Sequence, residues 1–236
     1  MEKTWTAKIA SVLSVAMTLA GCSRPAASPS GGEVTFTTAD NWTIHANFAS
    51  PPNASKAVIL LHQRNGSASD WNPIVSRLNA EGVATLALDL RGAGKSTGPQ
   101  NGDEAPWDVT PDIDGARKYL DEHGLRRTPI GLIGASYGAN NALIYAASHP
   151  GVSAVALLSP GEDYHGLKVE APSRVYHGRI LILTASRDDV TGPGPQVIAD
   201  TAGSAATVKS FDGSAHGTEI FSAHPDSVDA LVTFVK

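Results

Sequence analysis

The 236-residue sequence has one cysteine, only 17% charged residues and no unbroken apolar run of membrane-spanning length. A lone cysteine excludes an internal disulfide and a thiolate zinc cluster, so the chain works without a cysteine framework. With 18 Lys+Arg against 23 Asp+Glu, the net charge of −5 gives no electrostatic reason to expect a nucleic-acid partner. Low charge together with 42% hydrophobic residues also excludes a disordered chain. Internal repeats are absent as well. What is left is one globular domain of the larger α/β kind, with enough apolar residue for a substantial core.

The first residues read as a processing segment. Lys3 and Lys8 precede the apolar run Ile9–Leu19, and small residues follow. That run falls short of the roughly 20 residues a membrane helix needs, which points to a secretory signal. The sequence Leu19-Ala20-Gly21-Cys22 then resembles the lipobox of bacterial lipoproteins. The resemblance implies cleavage before Cys22 and a lipid on Cys22 that holds the protein to the cell envelope, with Ser23 implying the outer membrane where the cell has one. Ser23–Gly32 has no apolar periodicity and reads as a tether. The expected organisation is therefore a signal over 1–21, a tether over 22–32 and one domain over 33–236.

Within the domain, the alternating segments Glu33–Thr38 and Trp42–Phe48 predict an antiparallel hairpin. Short apolar runs follow at Ala57–Leu61, Val83–Leu88, Ile130–Ile133, Ala154–Leu158 and Ile180–Thr184, with a weaker one at Thr207–Phe211. Such runs suit strands buried on both faces of a parallel sheet. Helical signals fill the gaps: Asp70 as the cap of a helix reaching Glu81, Asp112 starting one that reaches His123, Ala139–Ser148, and Ser227–Val235. Alternating strands and helices predict an α/β fold, a mostly parallel central sheet with helices on both faces.

Gly134-Ala135-Ser136-Tyr137-Gly138 stands where a predicted strand turns into a helix. A serine on so tight a turn needs neighbours without bulk, which Gly134 and Gly138 supply. Its hydroxyl becomes a nucleophile only if a histidine takes the proton and an acid fixes that histidine. Asp188 and Asp189, just after the strand Ile180–Thr184, are both candidates for the acid.

Taken with Val58-Ile59-Leu60-Leu61-His62 and Asp89-Leu90-Arg91-Gly92-Ala93-Gly94-Lys95-Ser96, the chain from about Lys56 onward resembles the α/β-hydrolase superfamily, in particular its small esterase and dienelactone-hydrolase-like members. The second stretch is no phosphate loop, because Asp89 stands where Gly-x-x-x-x-Gly-Lys-Ser needs glycine. The resemblance implies the order Ser, acid, His. It selects Asp188, since Ala185-Ser186-Arg187-Asp188 follows the family's Gly-x-x-Asp with alanine for glycine. Of eight histidines it selects His216, in the loop directly after the last predicted strand; His165 and His177 precede the acid's strand and His224 lies beyond that loop.

The resemblance further implies an oxyanion hole from the Tyr137 N–H and a donor in the loop after His62. Many relatives have His-Gly there, whereas this chain has His62-Gln63, so the second donor falls on Arg64 by position, with Gln63 as the substitute. The short connection from Ser159 to Ile180 implies no large lid, and the loop Thr97–Val109 with Trp107 is a further candidate wall for substrate. The implied activity is a serine hydrolase of small-molecule carboxylic esters with no metal or organic cofactor. The same triad would serve a peptidase or a thioesterase, and the fold could also carry a non-catalytic envelope-binding lipoprotein.

Overall fold

The computed structural model describes Met1, residues 30–99 and residues 108–236. The signal segment, Cys22, most of the tether and the Trp107 wall therefore lie outside the described residues.

Strand β1 (Ser30–Thr37) pairs antiparallel with β2 (Thr43–Ser50). β1 starts at Ser30, ahead of the expected Glu33, because Ser30–Gly32 find backbone partners in Phe48–Ser50. Then follow β3 (Lys56–Leu61), α1 (Asn72–Ala80), β4 (Val83–Leu88), α2 (Thr110–Leu120), β5 (Ile130–Ala135), α3 (Tyr137–Ser148) and β6 (Val152–Leu158). A small hairpin of β7 (Asp163–Tyr164) and β8 (Leu167–Lys168) leads through α4 (Glu170–Val175) to β9 (Arg179–Ala185). The chain continues as α5 (Gly194–Ala202), β10 (Ala206–Phe211), α6 (Ile220–Ala223) and α7 (Asp226–Val235).

Eight strands form one sheet in the order β1-β2-β4-β3-β5-β6-β9-β10. β2 runs antiparallel to both its neighbours, and every pairing from β4 to β10 is parallel. The central strands β3, β4, β5, β6 and β9 are buried on both faces, as the continuous apolar runs require, whereas β1 and β10 at the edges are largely exposed. Ile59, Leu61 and Leu132 pack with Ile113 of α2, Leu143 of α3 and Ile198 of α5. Val58, Leu60 and Ile133 pack on the other side with Leu78 of α1, Phe221 of α6 and Leu231 of α7. Among the described residues no helix is long and apolar enough to cross a membrane.

Two differences from the sequence reading are instructive. Helix α5 was not foreseen, because Gly192-Pro193-Gly194-Pro195 reads as loop; here Pro195 sits in the helix's first turn, where a missing N–H costs nothing. Asp112 is no cap. It lies fully buried and accepts the Arg91 backbone N–H (2.9 Å) and Nε–H (2.8 Å), while the Arg91 guanidinium also reaches Asp40 (2.8 Å). The segment after β4 is thereby braced to α2 and to the β1–β2 turn. Asp89 completes the brace, accepting backbone N–H groups from Ala68 (2.7 Å) and Lys95 (2.9 Å).

Candidate active site

Ser136 joins β5 to α3 with φ 54° and ψ −122°. Left-handed φ in a residue with a side chain costs of order 1–3 kcal/mol and persists only where the surroundings impose it. Here the Ser136 N–H donates to the Leu158 carbonyl (2.8 Å) and its own carbonyl accepts from Ala139 (2.8 Å) and Asn140 (3.2 Å). Gly134 and Gly138 permit the turn. A Cβ on Gly134 would overlap the Gly138 backbone, and one on Gly138 would overlap the Leu61 and His62 carbonyls, so the end of β3 packs directly on the first turn of α3.

The structure brings Ser136, His216 and Asp188 together. His216 Nε2 lies 2.8 Å from Ser136 Oγ, and Nδ1 lies 2.9 Å from each Asp188 carboxylate oxygen. A carboxylate only accepts, so the Asp188 contact puts the imidazole proton on Nδ1 and leaves Nε2 to accept from the serine hydroxyl. The Asp188 side chain is 1% exposed and that of His216 20%, so the acid is sealed behind the ring and the ring meets the cavity. Asp189, the neighbouring candidate, points to solvent.

The loop bearing His216 is held from both flanks of the serine strand. Gly217 N–H donates to the buried Ser159 Oγ (2.9 Å) at the end of β6, and Thr218 donates its N–H (2.8 Å) and hydroxyl (3.2 Å) to Gln63 Oε1 beyond β3. Ser159 was missed by the sequence reading. Its left-handed backbone, φ 49°, carries no signature in Leu157-Leu158-Ser159-Pro160. Gln63 was considered for its backbone; its side chain proves to be a clamp on the histidine loop, which a glycine at that position would lack.

His62 also has a role that its motif does not announce. Fully buried, it accepts the Leu90 N–H on Nε2 (3.0 Å), which puts its proton on Nδ1, facing the Gln63 carbonyl (2.7 Å). Burial pushes its pKa below the ordinary histidine value, so the ring stays neutral. The unfolded chain would protonate His62 near pH 6.5 while the folded chain resists, so stability should be lost as pH falls below about 6.5. Urea unfolding at pH 7 and pH 5.5 checks this; His62→Gln should flatten the pH slope by up to one proton's worth.

A cavity of about 220 Å³ opens on Ser136 and His216. Gln63, Arg64 and Tyr137 line it from the β3 and α3 side, so every residue considered for the oxyanion hole borders the same space. Tyr164, His165 and Val190 line it from the β6 and β9 side.

Residues 56–177 match the family described as the alpha/beta hydrolase fold. The chain belongs to the alpha/beta hydrolase family. Its fold resembles that of the Pyrococcus furiosus esterase Pf2001 (TM-score 0.72, 19% identity, 87% of this chain and 92% of the esterase). Dienelactone hydrolase from Anabaena variabilis is similar in fold too (TM-score 0.69, 17% identity, 87% and 94% covered). In sequence, this alpha/beta hydrolase is 34% identical over 115 residues to the uncharacterized protein YfhR of Salmonella typhi, a match over 47% of the chain and 38% of that relative's length. The chain thus spans well under half of the relative that it matches.

Proposed function

We propose that this alpha/beta hydrolase cleaves small carboxylic esters through an acyl-enzyme on Ser136. The observation that carries the reading is the unbroken hydrogen-bond chain from Asp188 through His216 to Ser136. Ser136 Oγ attacks the ester carbonyl while its proton passes to His216 Nε2. Asp188 holds the ring and offsets the imidazolium charge. The tetrahedral oxygen is met by the Tyr137 N–H at the start of α3, with Arg64 or Gln63 supplying a second donor, each worth about 2.7–4 kcal/mol in a well-built hole. His216 then protonates the departing alkoxide, and water, activated by the same ring, releases the acid. None of these steps calls for a metal or an organic cofactor.

The cavity of about 220 Å³ is open to solvent and offers few walls to a long acyl chain, which supports small esters as substrates. The test is hydrolysis of nitrophenyl esters from acetate to laurate by the purified protein, with a fluorophosphonate probe for the serine. Turnover falling with chain length, together with labelling, is expected. A folded protein that neither hydrolyses any of the esters nor takes the probe would sink the reading.

We also propose that Cys22 is lipidated and holds the enzyme on the cell envelope, the outer membrane where there is one. Its support is the Leu19-Ala20-Gly21-Cys22 sequence behind a basic and apolar start. Cys22→Ser is expected to move the protein from the membrane pellet to the soluble fraction. Wild type found soluble would end the proposal.

A further inference from the structure

Tyr164 sits beside the nucleophile. Its hydroxyl donates to the Ser159 carbonyl at 3.2 Å, and its side chain lines the same cavity as Ser136 and His216. Several independent features are devoted to holding it there. The Tyr164 ring lies flat on Gly161, where any Cβ would occupy the ring's place. A tight turn through His165 (φ 53°) and Gly166 (φ 91°) closes the β7–β8 hairpin that carries it. Asn140, fully buried on α3 one turn after the serine, donates Nδ2–H to the carbonyls of Gly161 (3.0 Å) and Leu167 (2.6 Å) and accepts the Gly161 N–H (3.1 Å). Both ends of the hairpin are thus stapled to the helix that presents Ser136.

The sheet order says from which flank of Ser136 the Tyr164 hairpin comes. Ser136 directly follows β5, which lies between β3 and β6. Gln63 and Arg64 follow β3 and Tyr137 opens α3, whereas Tyr164 is rooted beyond β6, on the other flank of Ser136 from Gln63 and Arg64.

Resting on the serine-hydrolase reading, we propose that the Tyr164 hydroxyl binds the leaving alkoxy oxygen and turns it toward His216. When the tetrahedral intermediate collapses, the bond from carbon to alkoxy oxygen breaks and its electron pair stays on that oxygen. The proton comes from His216 Nε2–H, and Tyr164 keeps its own, donating only a hydrogen bond. Burial supports this division of labour, since it pushes the phenol up to about 12 and keeps it a donor. At 3.2 Å the ground-state bond to Ser159 is long, so little is lost when the hydroxyl turns to substrate.

Dependence on the leaving group tests this. Tyr164→Phe should lower kcat/KM for ethyl butyrate by about 10- to 100-fold, the value of a hydrogen bond to a developing charge. The same variant should lose less than about threefold with 4-nitrophenyl butyrate, whose leaving oxygen is already stable as an anion. Fluorophosphonate labelling at the wild-type rate would show that Ser136 and His216 remain in register. Equal losses with both esters, or no loss with either, would overturn the role of Tyr164 while leaving the serine-hydrolase reading intact. Wild type inert to both esters and to the probe would instead remove that reading itself.

Discussion

Ser136→Ala should reduce kcat/KM toward a short nitrophenyl ester by about 10⁴- to 10⁶-fold, with the thermal midpoint close to wild type. The change removes the attacking oxygen and leaves His216 facing a methyl group. A residual rate above water would reflect binding and the oxyanion donors, which the substitution leaves in place. Ser136→Gly should be equally inactive yet more stable, because glycine adopts φ 54° and ψ −122° without the Cβ penalty. Activity lost and stability gained from one position would mark the strained turn as a cost borne for function. Wild-type turnover in Ser136→Ala would remove serine 136 from the mechanism.

Asp188→Asn should lower kcat/KM by about 10³- to 10⁴-fold with little change in fold. The asparagine amide is nearly isosteric but presents N–H₂ where the carboxylate accepted. It keeps the productive tautomer only by turning its oxygen to Nδ1–H, and without the negative charge the imidazolium formed during attack has no counterion. With its nitrogen toward the ring, it would select the tautomer whose Nε2–H meets the serine hydroxyl instead of accepting from it. Asp189→Asn, one residue along and exposed, is the matched control and should change kcat/KM less than about twofold. The two rates side by side decide between neighbours that the sequence alone leaves open. A large loss at Asp189 with none at Asp188 would reassign the acid.

Much of this architecture is legible in the sequence because burial on both faces leaves a crude signal. Strands such as Val83–Leu88 and Ile180–Thr184 are apolar without interruption, and the Gly-x-Ser-x-Gly turn shows through its need for absent side chains. Legibility ends where conformation or partnership is set from a distance. Helix α5 hides behind its own glycines and prolines. The β7–β8 hairpin is only two residues per strand, too short for alternation to register. Asp112 has the sequence position of a helix start, yet its partner Arg91 lies 21 residues away, and only the fold reveals that pairing. Ser159 and Gln63 act on a loop far along the chain, so nothing local marks them.

The clamp on the histidine loop also orders events in time. Ser136 and His216 are 80 residues apart, and the two side chains that hold the histidine loop, Gln63 and Ser159, both precede it in the chain. A nascent polypeptide therefore completes the strand before Ser136 and the docking points on either side while His216 has yet to be synthesised. In the proposed mechanism, the serine hydroxyl has no proton acceptor until the later segment folds back onto those waiting groups. A chain that ends between Ser159 and His216 would hold the serine and both docking side chains but lack the residue that takes the proton in the proposed mechanism.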